Sequence, residues 1–304
     1  MAKTHKEYAY AKINPYLAVT GRRSDGYHTI LSHMQAVTLC DVLIFHWEPN
    51  IEKNLVFRLH CSDNTLALDE SNLICRAARA MAKRLAADGR SIAGHLTVQL
   101  EKNIPLAAGL AGGSADAAAT LRALNVLWDC RYAVDTLCEI GAALGADIPF
   151  CIKSTTAPAM TARGIGEQLS NAKSLSRSCY LVIACHGEGV STPWAYRQLD
   201  EQRIALTPEE AERQYAALEA ALAKENLGTL AACCYNCFEQ VVLHERPAAA
   251  ALIDAMKKGG AVFARMSGSG PSVVGYFENE AKAKDCADTL RLQGIAAQVC
   301  QPLF

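Results

Sequence analysis

The residues best suited to chemistry lie in a glycine-rich segment, 105–115, which reads Pro-Leu-Ala-Ala-Gly-Leu-Ala-Gly-Gly-Ser-Ala. A phosphate site directs several backbone N–H groups at one point, and glycine permits the backbone angles and close approach that this needs. Gly109, Gly112 and Gly113 supply that freedom. The alanine-rich run from Ser114 favours a helix, with Ser114 as its cap, and the N-terminus of a helix attracts anions. The segment predicts a phosphate loop, although spacing alone fits a tight turn between helix and sheet equally well.

The two commonest phosphate loops are excluded as written. A Walker A loop needs a lysine directly after its last glycine, and none stands there. The G-x-G-x-x-G pattern of dinucleotide sites is also absent from this segment. Any phosphate site here must therefore be of another type.

The elements that must position this loop can be read from the sequence pattern. The beginning of the chain is predicted to be β, with strands at Ala9–Val19 and His33–Phe45. A helix is predicted at Ser71–Ala87, with Ser71 as its N-cap, and a strand at Ala93–Leu100. The glycine-rich loop is thus expected between a strand and a helix.

The second half of the chain repeats a mixture of strands and helices. The polar stretch 153–158 predicts a domain boundary near residue 155, giving domains 1–155 and 156–304. A helix is expected at Pro208–Leu230, and a last helix and strand close the chain. Predicted strands are Cys179–Cys185, Ala261–Met266 and Ser272–Phe277, the last two flanking a second glycine loop, 267–271. The order of elements predicts an α+β protein.

Composition limits the classes of function. With 304 residues and 51% hydrophobic residues the chain is globular, and a net charge of −1 argues against a nucleic-acid partner. No segment resembles a signal peptide or membrane span, so we expect a cytoplasmic protein without a membrane partner. The thirteen cysteines predict reduced thiols, with Cys233, Cys234 and Cys237 on a buried helical stripe and not in a zinc site. The oligomeric state is left open.

The segment 105–118 resembles the phosphate loop of the GHMP kinases, the superfamily of the galactokinase, homoserine, mevalonate and phosphomevalonate kinases. Four other segments are similar, in order, to one branch of it, whose substrate carries a cytidine diphosphate: 11–14, 20–28, 145–150 and 266–270. The resemblance implies an ATP-dependent small-molecule kinase that uses Mg²⁺. It also implies a two-domain fold, with an N-terminal ATP domain like ribosomal protein S5 and a ferredoxin-like C-terminal substrate domain.

The resemblance implies the catalytic pair. Asp147 matches the aspartate that takes the proton of the substrate hydroxyl, and Lys12 matches the lysine that orients it and stabilises developing negative charge. Without the resemblance, a surface ion pair or a turn residue at the end of a strand is the preferred explanation for each. Asn14 lies two residues beyond Lys12, on the same face of a strand, and would bind the polyol or phosphate of the substrate. Its alternative role is a turn cap before Pro15.

The resemblance also assigns binding residues. Tyr27 would stack on the cytosine, His28 would hydrogen-bond to it, and Tyr196 would form a second aromatic wall unless it is simply a packed residue of a helix. Asn72 would line the adenine pocket, or else cap a helix. The second loop would enclose phosphates through Gly268 and Gly270, or form a plain hairpin turn. The ATP-binding loop itself comprises Pro105, Leu106, Ala107, Ala108, Gly109, Leu110, Ala111, Gly112, Gly113, Ser114 and Ala115.

The loop departs from the family pattern, Gly-Gly-Gly-Leu-Gly-Gly-Gly-Ser-Ser, because alanine stands at 107, 108 and 111. These alanines must have ordinary backbone angles or be strained. The metal ligands stay open, with Ser114 as one candidate. Three alternatives to the cytidyl kinase also stay open: another GHMP kinase, which should lack the pair Tyr27-His28, a catalytically silent nucleotide-binding protein, and an adenylate-binding structural module.

Overall fold

The computed structural model describes residues 1–50, 54–187 and 189–304, which form eleven strands and ten helices. The strands are β1 (Lys3–Arg22), β2 (His28–Pro49), β3 (Leu55–Cys61), β4 (Gly94–Glu101), β5 (Ala159–Arg163), β6 (Gln168–Asn171), β7 (Tyr180–Cys185), β8 (Tyr235–Asn236), β9 (Phe263–Met266), β10 (Val273–Phe277) and β11 (Ala296–Cys300). The helices are α1 (Leu73–Ala87), α2 (Gly112–Leu127), α3 (Val134–Ala142), α4 (Ile148–Lys153), α5 (Thr192–Glu201), α6 (Pro208–Lys224), α7 (Leu227–Ala231), α8 (Glu239–Glu245), α9 (Pro247–Lys258) and α10 (Glu280–Leu292).

The chain folds into two compact units, each built from several stretches of sequence. The first unit contains residues 1–11, 40–104 and 111–155, and the second contains 12–39, 105–110 and 156–304. Strands β1 and β2 each contribute residues to both units. The predicted continuous domains, 1–155 and 156–304, stay a prediction.

The first unit combines helices α1 to α4 with strands β3 and β4 and with parts of β1 and β2. Strand β3 runs parallel to β4, with Leu55 opposite Gly94, and β4 runs antiparallel to the end of β2. Helix α2 buries a face rich in alanine and packs against α1 and α4. Small side chains allow this close packing and are strong helix formers. The helix that follows the glycine-rich loop is therefore held inside the unit.

The second unit is organised around a four-stranded antiparallel sheet in the order β11-β7-β10-β9. Val182 of β7 is fully buried and lies opposite Gly275 on one side and Val299 on the other. Helices α9 and α10 pack on this sheet. The unit also contains the parallel pairing of β8 with β1 and the antiparallel pairings of β5 with β2 and β6. The predicted mixture of strands and helices is confirmed.

Three details differ from the predictions because local capping decided where helices begin and end. Ser71 does not cap α1: its N–H and hydroxyl both donate to Asp69, and Asn72 is the N-cap. Ser114 does not cap α2, since that helix already begins at Gly112. The predicted helix at 208–230 is two helices, because Glu225 adopts a left-handed conformation that ends α6.

The cysteine cluster does not lie on a helix, so the predicted helical stripe is wrong. Cys233 and Cys234 precede the short strand β8, and Cys237 follows it. Burial raises the pKa of the Cys237 thiol to about 12, which makes it an inert apolar residue. In the described part of the chain, none of the helices has the length and apolar character to cross a bilayer.

Candidate active site

Within the second unit the two glycine loops pack backbone against backbone. The hydroxyl of Ser267 donates to the carbonyl of Gly109 at 3.2 Å, and the Ser272 N–H donates to Ala108 at 3.3 Å. A Cβ at Gly109 would overlap the carbonyl oxygen of Ser267, and one at Gly268 would lie 2.6 Å from the carbonyl oxygen of Gly109. Both glycines have left-handed angles, with φ of 78° and 57°. The contact between the loops therefore requires glycine at both positions.

The second glycine loop, residues 267–271, is held by two side chains that sequence reasoning missed. The buried Asn236 donates to the carbonyls of Met266 and Gly268 at 2.8 and 2.9 Å. Glu239 accepts from the Met266 N–H at 2.7 Å and pairs with Arg265 at 3.0 Å. A charged or amide group that bonds to a loop backbone restricts its motion, so the loop is pre-organised. The predicted binding residue Gly270 lies in this loop.

Two of the three alanines that depart from the family pattern have strained backbone angles. The sequence had left strained and ordinary angles as the two alternatives. Ala107 has φ of 49° and Ala111 has φ of 57°, which for a residue with a Cβ costs about 1–2 kcal/mol each. The carbonyl of Ala107 accepts from the Val190 N–H at 3.4 Å. A Cβ at Gly189 would lie 2.8 Å from the Cβ of Ala107. The side chain at 107 thus occupies space that residue 189 leaves open.

In the first unit, α2 begins at Gly112, within the segment that was predicted to be a phosphate loop. The N–H groups of Gly112, Gly113 and Ser114 belong to the first turn, where a helix leaves its N–H groups without intrahelical partners. The Ala115 N–H is the first to bond back, to Ala111. A Cβ at Gly113 would meet only Leu73, at 3.5 Å. The start of α2 can therefore offer backbone donors and its helix dipole to an anion.

A buried ion cluster lies beside this helix start. Lys102 Nζ lies 2.5 Å from an Asp41 oxygen and 2.7 Å from an Asp116 oxygen. The other Asp41 oxygen accepts from the backbone N–H of Asn103 and Ile104. A Cβ at Gly112 would come within 3.1 Å of Lys102 Nζ, so the ammonium lies directly against the first residue of α2. The cluster thereby joins β2, the end of β4 and α2.

The cluster holds two carboxylates for one ammonium, and this imbalance of charge shifts the pKa of Asp116 and the pKa of Lys102. Burial and the neighbouring Asp41 raise the pKa of Asp116 to about 7, against the lowering effect of Lys102. Burial lowers the pKa of Lys102, but the two carboxylates outweigh it and leave this pKa above its ordinary value. Among the described residues, Asp116 Oδ1 is buried without a hydrogen-bond partner. No spacing pattern in the sequence connects Asp41, Lys102 and Asp116.

Asp147 stands immediately before α4 in the first unit. Its carbonyl accepts from the Cys151 N–H at 3.1 Å, and Pro149 lies in the first turn of the helix. A Cβ at Gly145 would lie 4.0 Å from the hydroxyl oxygen of Ser114. The segment that carries Asp147 is therefore adjacent to the beginning of α2.

Lys12 and Asn14 form a buried hydrogen-bonded chain in the second unit. Lys12 Nζ donates to Asn14 Oδ1 at 2.6 Å, and Asn14 Nδ2 donates to the Ser32 hydroxyl at 2.9 Å. The Ser32 hydroxyl in turn donates to the carbonyl of Tyr16. The Lys12 N–H donates to the carbonyl of Leu110 at 3.1 Å, which ties the lysine to the glycine-rich loop. The ammonium is thus fixed by its neighbours, and the shared strand face predicted for Lys12 and Asn14 is confirmed.

The residues assigned to the nucleobase also lie in the second unit. Tyr27 is 61% exposed, whereas the side chain of His28 is largely buried. The Tyr196 ring stacks on His28, with ring centroids 4.6 Å apart and an interplanar angle of 20°. Tyr196 also meets Phe238 edge to face. Asp200, which sequence reasoning missed, lies 2.7 Å from His28 Nε2. The structure therefore brings His28 and Tyr196 together on one surface.

Asn72 is the N-cap of α1. Its Oδ1 accepts from the Ile74 N–H at 2.9 Å, and its Nδ2 donates to the carbonyl of Ala67 at 2.7 Å. Capping of α1 therefore accounts for an asparagine at position 72. Its predicted place in an adenine pocket stays a prediction.

The donor set fits magnesium only as a partner of phosphate. Residues 1–50, 54–187 and 189–304 contain no group of three or more His, Cys, Asp or Glu side chains placed to hold a metal ion. Mg²⁺ usually keeps several waters and takes only one or two protein oxygens besides phosphate oxygens. The hydroxyl of Ser114 and the carboxylate of Asp147 are oxygen ligands of the required kind near the start of α2.

Comparison with known proteins adds independent findings. Residues 72–155 match the family model for the GHMP kinases N terminal domain, and residues 204–296 match that for the GHMP kinases C terminal domain. A 4-diphosphocytidyl-2-C-methyl-D-erythritol kinase of Clostridium novyi is 37% identical over 91% of this chain and 92% of its own length. The corresponding protein of Gloeobacter violaceus is 37% identical over 98% of this chain and 94% of its own length.

A solved structure agrees with these relatives. The crystal structure of a 4-(cytidine 5'-diphospho)-2C-methyl-D-erythritol kinase superposes with a TM-score of 0.76 at 30% identity, covering 98% of this chain and 99% of the other. The identity extends through both matched domains, so it concerns the whole chain. The chain belongs to the 4-diphosphocytidyl-2-C-methyl-D-erythritol kinase family of the GHMP kinases.

Proposed function

We propose that this chain transfers the γ-phosphoryl group of ATP to the 2-hydroxyl of 4-diphosphocytidyl-2-C-methyl-D-erythritol, in the non-mevalonate pathway to isoprenoid precursors. The observation that carries the proposal is the buried Lys12, whose ammonium is held by Asn14 and whose backbone is bonded to the glycine-rich loop at Leu110. A lysine fixed in this way suits a transferring phosphoryl group, because pre-organised positive charge needs no rearrangement during reaction. Family membership supplies the identity of the acceptor.

The chemistry requires few protein groups. Asp147 accepts the proton of the attacking hydroxyl as the new oxygen–phosphorus bond forms and the bond to the ADP oxygen breaks. Lys12 stabilises the negative charge that gathers on the transferring group. ATP bound with Mg²⁺ supplies the phosphoryl group and an additional positive charge. The roles of Asp147 and Lys12 are proposals carried over from matching positions in the family.

The remaining residues bind and orient the two substrates. Backbone N–H groups of Gly112, Gly113 and Ser114 would bind phosphate oxygens at the positive end of α2. Ser114 is our candidate for the protein ligand of magnesium. Tyr27 and His28 would bind the cytosine, since an aromatic face and a polar edge match the two surfaces of a base. The domain at 1–155 would bind ATP, and we infer that the enzyme works on small molecules in the cytoplasm.

One assay separates this proposal from its alternatives. ADP release from ATP with Mg²⁺ is measured with the cytidyl substrate, mevalonate, homoserine and galactose as acceptors. Turnover of the cytidyl substrate alone is expected, turnover of another acceptor would identify a different GHMP kinase, and turnover of none would favour a silent nucleotide-binding protein. Asp147→Asn should reduce turnover by at least about a hundredfold. The matched control is Asp135→Asn, since Asp135 is an exposed acid of α3 paired with Lys153.

A further inference from the structure

His28 is held on two sides by residues that determine how its ring is oriented. Asp200, near the C-terminal end of α5, places a carboxylate oxygen 2.7 Å from His28 Nε2. Tyr196, one turn earlier on α5, stacks on the face of the imidazole. One helix therefore supplies both the contact to the edge and the contact to the face, which fixes the plane of the ring.

Asp200 is itself anchored by a cation. Its second carboxylate oxygen lies 3.2 Å from Arg22 Nη1, and Arg22 Nε donates to the carbonyl of Gly26 at 3.3 Å. A carboxylate that pairs with a guanidinium has only acceptor oxygens to offer its other neighbours. The carboxylate that faces His28 is therefore an acceptor.

This contact determines which ring nitrogen carries the proton. A neutral imidazole has one N–H donor and one acceptor nitrogen, and the partner of one nitrogen sets the state of the other. Because Asp200 accepts, Nε2 carries the hydrogen and Nδ1 keeps its lone pair. Among the described residues, Nδ1 of His28 has no hydrogen-bond partner. The group that His28 can offer to a ligand is thus an acceptor.

Pyrimidine bases differ at the edge that an acceptor reads. Cytosine presents an exocyclic amino group, which is a donor, whereas uracil presents a carbonyl oxygen at the same position, which is an acceptor. The lone pair of Nδ1 can accept a hydrogen bond from the amino group of cytosine, whereas it is repelled by the carbonyl oxygen of uracil. To bind uracil, His28 would have to move its proton to Nδ1 and leave a lone pair facing the carboxylate of Asp200.

We propose that Asp200 is a positioning residue that gives the site its preference for cytosine over uracil, by holding His28 as the Nε2–H tautomer. The inference rests on the proposed function, because it takes the pair Tyr27-His28 as the nucleobase site. It concerns a residue that touches His28 and not the substrate. Asp200 therefore controls selectivity between bases and not the phosphoryl transfer itself.

The test compares two acceptors that differ only in the base, the cytidyl substrate and its uridyl analogue. Wild-type enzyme at pH 8, where an ordinary histidine is neutral, should favour the cytidyl substrate in kcat/KM by about a hundredfold or more. In Asp200→Asn the amide can donate or accept, so both tautomers of His28 are tolerated. We expect this ratio to fall at least about tenfold, mainly through KM, with kcat on the cytidyl substrate kept within about threefold.

The matched control is Asp25→Asn. Asp25 is a carboxylate of the neighbouring turn that pairs with Arg23 and accepts from the Tyr27 N–H, and its asparagine variant keeps an oxygen for that hydrogen bond. Its selectivity ratio should stay within about threefold of the wild-type value. A loss of selectivity in Asp25→Asn as large as that in Asp200→Asn would overturn the inference, since it would reflect a general disturbance of the turn.

A second readout needs only the wild-type protein. Long-range ¹H–¹⁵N NMR distinguishes a protonated ring nitrogen from an unprotonated one, and His28→Gln assigns the signals of His28. We expect a proton on Nε2 and none on Nδ1. A proton on Nδ1, a wild-type enzyme that does not discriminate between the bases, or an unchanged ratio in Asp200→Asn would each refute the role of Asp200. Failure of the proposed function is separate, because it would appear as no turnover of the cytidyl substrate by wild type.

Discussion

Replacement of Gly109 by alanine tests the contact between the two glycine loops. The new Cβ would overlap the carbonyl oxygen of Ser267, a backbone atom that cannot turn aside as a side chain can. The left-handed angle of residue 109 adds about 1–2 kcal/mol of strain for a residue with a Cβ. Separation of the loops also removes the hydrogen bond from Ser267 to Gly109, worth about 1 kcal/mol. The free energy of unfolding should therefore fall by about 3 kcal/mol.

The matched control is Gly113→Ala, four residues further along the same segment. Its Cβ would make an ordinary contact with Leu73 at 3.5 Å, and the residue lies in the first turn of α2. Alanine there should raise the free energy of unfolding by about 0.5 kcal/mol, because it lowers the backbone entropy of the unfolded chain.

Urea unfolding followed by circular dichroism measures both variants at equal protein concentration. We expect the free energy of unfolding to change in opposite directions in the two variants. The urea midpoint of Gly109→Ala should lie clearly below that of wild type, and the urea midpoint of Gly113→Ala should lie at or slightly above it. Equal stability of the two variants would refute the reasoning, since it would mean that the loops do not approach as closely as the structure shows.

Three further predictions concern the site and its supports. Ala111→Gly should raise the free energy of unfolding by about 0.5–1 kcal/mol through relief of the left-handed strain, and ATP affinity measured by calorimetry should stay within about tenfold of wild type. Asn14→Ala removes one hydrogen-bond partner from the Lys12 ammonium and one from the Ser32 hydroxyl, so kcat/KM for the acceptor should fall about 10- to 100-fold in steady-state assays. Because these groups are buried, the free energy of unfolding should also fall, by about 1–3 kcal/mol. The raised pKa of Asp116 disfavours its charged form in the folded state, so this group lowers wild-type stability progressively from about pH 4 to about pH 7 and by a constant amount above. Asp116→Asn keeps the Lys102–Asp41 ion pair, whose net charge is zero, and removes this pH-dependent penalty. The free energy of unfolding of the variant, measured by chemical denaturation, should rise relative to that of wild type by more than about 1 kcal/mol between pH 5 and pH 8. A difference that does not change with pH would contradict this account.

Local pattern was sufficient where neighbours in sequence are also neighbours in space. The spacing of Lys12 and Asn14 predicts a shared strand face, and the two side chains do bond to each other. The strand, glycine loop and helix around residue 110 also follow in the predicted order. Such features depend on backbone periodicity and propensity, which a sequence carries directly.

Contacts between distant segments could not be predicted in this way. Asp200 lies 172 residues from His28, and Lys102 is 61 residues from Asp41. No periodicity connects such positions, since only the tertiary fold brings them together.

The helix starts were misjudged for a related reason: Asn72 caps α1 in place of the preceding serine because its side chain also bonds to the carbonyl of Ala67. Competing caps differ by about 1 kcal/mol or less, so surrounding contacts decide between them.

The close approach of Ala107 and Gly189 has a consequence for how this loop can evolve. The pocket between these residues has room for one methyl group, because a second Cβ would stand 2.8 Å from the first. An ancestor with glycine at both positions could have gained a side chain at either, but each gain closes the route to the other. Substitutions at 107 and 189 are therefore epistatic, and the effect of a side chain at 189 depends on whether residue 107 has already been changed to glycine.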